Sequence, residues 1–170
     1  MQSESARMAS AAQARFRIDA PNSKPRAVKI IALDRPSESV VKRLAQATWN
    51  QASFLTASAF AGAPQPAGQF SVTGWLSDIA GRTKDLMDEV GSADLVVMVA
   101  TAGESASAAA LIGEACSAKR VNTTGLIVGS AGKSDEALAK TLAQLRPWSL
   151  MLVIANTDDY IEDMLTALRA

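Results

Sequence analysis

The stretch Asp94-Leu-Val-Val-Met-Val-Ala100, continued by Thr101-Ala-Gly-Glu104, decides how this chain is read. It is apolar at consecutive positions instead of alternating. A strand of that kind is covered on both faces, as in a parallel sheet packed between helices. The spacing predicts a helix from Glu104 to Lys119, with Thr101 and Glu104 forming a capping box at its start. A helix start of this kind offers free N–H groups and a partial positive charge, the usual seat of a phosphate. Glu104 would place its own carboxylate in that field. A second negative charge within ~4 Å costs about 1 kcal/mol even at the dielectric of water.

Strands and helices alternate outward from this stretch. Val28 to Asp34 reads as a buried strand, followed by a helix. Either Ser37 caps that helix or Pro36 occupies its first turn. Val40, Val41, Leu44, Ala45 and Thr48 share one of its faces. Ser53 to Phe60 reads as a strand, Gly62 to Gly68 as a loop, and Gln69 to Trp75 as a short strand. Leu76 to Val90 is expected to be helical, with Leu76, Ile79, Leu86 and Val90 facing inward. Thr123 to Val128 is a strand, and Lys133 to Leu145 a helix stopped by Pro147. Ser149 to Ala155 reads as a doubly buried strand, with a last helix from Asp158 to Leu168. The expected fold is α/β, a three-layer α/β/α sandwich with a mostly parallel, Rossmann-like sheet. Residues 27–170 would form this single domain. Residues 1–26, rich in Ala, Ser, Gln and Arg, read as a flexible arm, with a short helix possible over Met8 to Phe16. The arm lacks the continuous apolar core of a secretory signal.

Composition narrows the chemistry. The chain has 170 residues, 48% of them apolar, and equal counts of 17 basic and 17 acidic residues. Zero net charge argues against a nucleic-acid partner, and no apolar run is long enough to span a membrane. Histidine is absent and Cys116 is the single cysteine, so His-dependent catalysis and the usual zinc sites are excluded. One cysteine forms no disulfide within the chain, which fits a reducing, cytoplasmic setting. Cys116 itself reads as a buried, inert thiol.

In this architecture ligands sit at the carboxyl ends of the strands. The loops leaving those ends assemble a candidate pocket of Asp34, Arg35, Ser37, Thr101, Gly103, Glu104, Ser105 and Asn156. Gly129-Ser-Ala-Gly-Lys-Ser134 imitates a P-loop, but Ile127 stands where its first glycine belongs. That segment reads as a polar turn with Ser134 capping the next helix. Asp34, Glu38, Asp158 and Asp159 are carboxylates at the same edge. They serve either as complements to helix dipoles, or as a weak magnesium site or a contact for an Arg- or Lys-bearing partner. Trp49, Trp75 and Trp148 read as core or interface aromatics.

The order of motifs resembles the N-terminal nucleotide domain of the FtsZ/tubulin family. Val28-Lys-Ile-Ile-Ala-Leu33 with Ser39-Val-Val-Lys-Arg-Leu44 is similar to that family's first strand and helix. Ser53-Phe-Leu-Thr-Ala-Ser58 is similar to its second strand. Ala93 to Gly103 resembles its alanine-aspartate, apolar-strand, threonine-alanine-glycine signature, and Leu152 to Asp158 resembles its strand ending in an asparagine-aspartate turn. The departures fall on the phosphate loops. Asp34-Arg-Pro-Ser-Glu38 replaces the glycine run after the first strand, and side chains plus proline would obstruct a phosphate there. Glu104-Ser-Ala-Ser107 replaces the glycine-rich signature, and Ala59-Phe60 stands where an aspartate follows the second strand. The family's acidic catalytic loop has no counterpart. The resemblance therefore implies a non-catalytic domain acting through a protein partner or as a homo-oligomer, with neither GTP nor magnesium expected. The alternative is a nucleotide or small-molecule module with a rebuilt pocket.

Overall fold

A computed structural model describes residues 24–58, 75–157 and 159–170. The expected loop over Gly62 to Gly68 and most of the expected arm lie outside these residues. Arg26, placed in that arm, is tied to the fold through its N–H to the Arg169 carbonyl at 2.9 Å.

The strands are β1 (Val28–Ala32), β2 (Ala52–Thr56), β3 (Trp75–Asp78), β4 (Thr83–Asp85), β5 (Leu95–Thr101), β6 (Asn122–Val128) and β7 (Met151–Ile154). The helices are α1 (Arg35–Leu44), α2 (Leu86–Gly91), α3 (Ala108–Lys119), α4 (Asp135–Leu145) and α5 (Asp159–Ala167). The strands form one sheet in the order β4-β3-β2-β1-β5-β6-β7. β2, β1, β5, β6 and β7 are parallel, while β3 and β4 attach antiparallel at one edge.

Period-two alternation within each strand builds two cores. Val96, Met98 and Ala100 of β5 point with Ile31 toward α2, α3 and α4, where Leu86, Ile112 and Leu145 meet them. Leu95, Val97 and Val99 point with Ile30 toward α1 and α5, where Val41, Ile161 and Leu165 close the other layer. This is the expected α/β/α sandwich. Among the described residues, no helix is long and apolar enough to cross a membrane.

Three expected elements change. Leu76 to Val90 is not one helix but the β3–β4 hairpin followed by α2. Gly81, at a φ of +79°, turns the chain, and both Asp78 carboxylate oxygens bind Arg82, one its N–H and the other its Nε. Asp85 then caps α2 by accepting the Asp88 N–H. Leu76, Leu86 and Val90 are buried as expected, but Ile79 sits at the turn, exposed. β7 is not doubly buried: Met151 and Ile154 are exposed, and among the described residues no strand follows it in the sheet order. Finally, α3 begins at Ala108, so the Thr101–Glu104 capping box does not form. Thr101 remains in β5, and 101–104 is a turn with Gly103 at a φ of +89°.

Trp49 and Trp148 take the core role expected of them. Trp49 donates its indole N–H to the Leu44 carbonyl at 2.8 Å and packs on Phe54. Trp148 lies against α3 at Gly113, where an added Cβ would meet ring atom Cε3 at 2.5 Å. Alanine is normally favoured over glycine in a helix by about 1 kcal/mol. Here the contact is the rigid base of an indole, so overpacking outweighs propensity. Gly113→Ala is expected to destabilise the fold by about 1–3 kcal/mol, read from urea unfolding. A stabilised variant would contradict the packing described.

Candidate functional site

The parallel part of the sheet runs β2-β1-β5-β6-β7, so the chain's winding reverses between β1 and β5. The crevice at this switch point is where such sheets bind ligands. Two loops reach it, one from β1 into α1 and one from β5 toward α3.

Asp34 occupies the crevice with its own carboxylate. Oδ1 accepts the Ser37 N–H at 2.8 Å and the Thr101 hydroxyl at 2.9 Å, and Oδ2 accepts the Thr101 N–H at 2.7 Å. Ser37 answers by donating its hydroxyl to the Asp34 carbonyl and accepting the Asp34 N–H. Asp34 is thus the N-cap of α1, a role expected of Ser37, and Ser37 completes a capping box from the N3 position. Pro36 lies in the first turn, as expected. Both partners are buried.

These bonds consume the donors a phosphate would need. Of the first four positions of α1, Pro36 has no N–H, Ser37 donates to the Asp34 carboxylate, and Glu38 donates to the Asp34 carbonyl. At most the Arg35 N–H remains. A phosphate oxygen ~4 Å from the carboxylate would meet roughly 1 kcal/mol of repulsion per charge pair in water and about 4 kcal/mol near a protein surface.

The second loop is braced from α4. The Gly103 N–H donates to the Thr141 hydroxyl at 3.0 Å, and that hydroxyl donates to the Glu104 carbonyl at 2.9 Å. The Ala106 N–H donates to Gln144 Oε1 at 2.6 Å. Of the sequence-selected residues, Asp34, Ser37 and Thr101 come together in one network, and Gly103 adjoins it through the turn. Arg35, Glu104, Ser105 and Asn156 are exposed around it. Asn156 accepts the Ser130 hydroxyl at 2.7 Å, which ties the β7 exit to the β6 exit. The P-loop imitation is a turn whose Ser134 caps α4 by accepting the Ala137 N–H, with Asp135 and Glu136 in the first turn.

Of the other candidate carboxylates, Asp158 and the Asp159 side chain lie outside what the structure describes. No group of three or more potential ligands converges among the described residues. Glu38 binds Lys42 Nζ at 2.6 Å and accepts the Ser58 hydroxyl at 2.7 Å. The Lys42 bond, then the Ser58 bond, hold its carboxyl below the ordinary value of 4.5. Burial pushes the Cys116 thiol up to about 11, consistent with the inert role expected of it.

The sequence reading missed a second polar place. Lys29, the second residue of β1, forms an ion pair with Glu89 at 2.8 Å and donates to the Ser53 hydroxyl. With the β3–β4 turn these residues line an open cleft of about 380 Å³ at the opposite end of the sheet. A lone lysine in an apolar run was the available signal. Its carboxylate partner lies sixty residues away in sequence.

The chain matches no known family model, no curated protein and no solved structure.

Asp34→Ala is expected to lower stability by about 2–4 kcal/mol, because the part-buried Thr101 N–H and the α1 cap lose a charged acceptor together. Asp34→Asn, which keeps one acceptor oxygen, is expected to lose less. Urea unfolding of the two variants checks that order. The lowered Glu38 value makes its contribution to stability full above 4.5 and lost as pH falls through the lower folded-state value. Wild type and Glu38→Gln should therefore converge in stability below that pH, and a constant gap down to strong acid would contradict it.

Proposed function

We propose that this chain is a non-catalytic domain that acts through contact with another protein or with copies of itself, and that its fold no longer takes a nucleotide. The observation that carries the reading is the Asp34 carboxylate at the β1/β5 switch point, already bound to Thr101 and to the start of α1. Absence of histidine and the raised Cys116 value support the non-catalytic part. We further propose descent from the FtsZ/tubulin nucleotide domain. The support is the order of the motifs across Val28 to Asp158, together with departures concentrated on the phosphate loops.

Isothermal calorimetry with GTP, GDP and ATP, each with magnesium, tests the reading. No binding heat is expected from any of them. Micromolar affinity for one of the three would falsify the proposal.

A further inference from the structure

The two edges of the sheet are built differently. β4 ends one side with three residues, Thr83–Asp85, and carries Lys84 at its centre. Short length and a lysine are ordinary protections against unwanted strand pairing. β7 ends the other side. Its inner edge pairs with β6 through Met151, Leu152, Val153 and Ile154, and among the described residues nothing pairs with its outer edge. The run Ser149-Leu-Met-Leu-Val-Ile-Ala-Asn156 contains no charge and no proline.

Exposed apolar side chains gather at this same edge. Among the described residues, the exposed large ones are Ile79, Leu150, Met151, Ile154 and Tyr160. Three of these five, Leu150, Met151 and Ile154, lie in β7 or directly before it, with Leu150 78% exposed. Isolated exposed apolar residues need no explanation, but a group along an open strand marks a contact surface.

The helix leading into β7 indicates what covers it. α4 joins the core that contains Leu152, through Leu138 and Leu142. Its outer side exposes Glu136, Ala139, Lys140 and Ala143, and Arg146 follows at its end. The acidic residues Asp135 and Glu136 thus lie at one end and a cation at the other. If two copies meet about a two-fold axis, α4 runs antiparallel to its counterpart. Glu136 of one copy then faces Arg146 of the other, and Ala139 faces Ala143. Both pairs are centred on position 141, so one axis satisfies both. The small alanines allow close approach while the opposite charges set the register.

We propose that the outer edge of β7 is the contact between two copies of this chain, paired antiparallel about a two-fold axis with α4 against α4. Stable interfaces bury roughly 1,200–2,000 Å² in total. One strand edge is too small for that, so the α4 contact belongs to the interface. This inference rests on the reading of the chain as a contact domain and names its partner. The two fail separately. A nucleotide binding signal removes that reading and leaves the dimer in place, whereas a monomer removes the dimer and leaves the absence of nucleotide binding untouched.

Sedimentation velocity on the full chain is the test. A dimer is expected, and a monomer at about 100 μM, a concentration that populates even modest affinities, overturns the proposal. Met151→Lys with Ile154→Lys, at exposed positions, should give a folded monomer by circular dichroism. A dimer unaffected by that pair overturns it as well. Glu136→Arg and Arg146→Glu should each weaken the dimer roughly tenfold or more, and the double variant should recover most of the loss. These residues lie at opposite ends of one helix, so recovery reports contact between chains. Failure to recover overturns the two-fold arrangement. Loss of the dimer on deleting residues 1–23 would assign the edge to that segment and overturn the proposal.

Discussion

Burial of β5 on both faces is the constraint from which the rest of the structure follows. Leu95 through Ala100 are all shielded from solvent, three toward each layer. A strand in that position cannot face water on either side, so helices must cover both. Parallel neighbours supply them, since each return to the same end of the sheet needs a crossover. α1 and α5 fill one layer, and α2, α3 and α4 fill the other. The loops leaving β1 and β5 are thereby brought side by side at the point where the winding reverses.

What stands at that point is the Asp34 side chain. Asp34 satisfies a helix start, a strand end and a threonine hydroxyl at once. Backbone donors buried near such a crevice need an acceptor, and leaving one unmet costs about 1–3 kcal/mol. A ligand oxygen can fill the role in a binding protein. Here the chain fills it from within, and a competing anion would have to displace a carboxylate held by three donors. Thr141 and Gln144 brace the second loop in the same spirit, with side chains of α4 answering backbone N–H groups of residues 103 and 106.

A second polar cleft lies elsewhere. Lys29 and Glu89 pair within the cleft at the opposite end of the sheet, and Arg82 holds Asp78. Four of the charges on its lining are therefore matched in pairs. Among the described residues, nothing pairs with the outer edge of β7. The sheet protects β4 with brevity and a lysine, and leaves the longer, charge-free β7 open. Exposed Leu150 and Met151 beside that edge are the features on which the proposed contact rests.

Much of this was legible from residue order. The unbroken apolar run at Leu95 to Ala100 determined a doubly covered strand, and its alternation with helical segments determined the layers. Ser134 before Asp135 and Glu136 determined a cap, because cap chemistry is local. Periodicity could not separate a helix from a hairpin at Leu76 to Val90. Leu76, Leu86 and Val90 are buried under either reading, and only Asp78 and Gly81 distinguished them. Nor could the apolar run at Leu150 to Ile154 announce an edge, since burial there depends on whether another strand follows. Asp34 was visible as a candidate, but Thr101 lies 67 positions away in sequence. Sequence by itself determined which residues stood ready at the strand ends. Only the tertiary structure decided that two of them would satisfy each other, because the sheet order alone makes β1 and β5 neighbours.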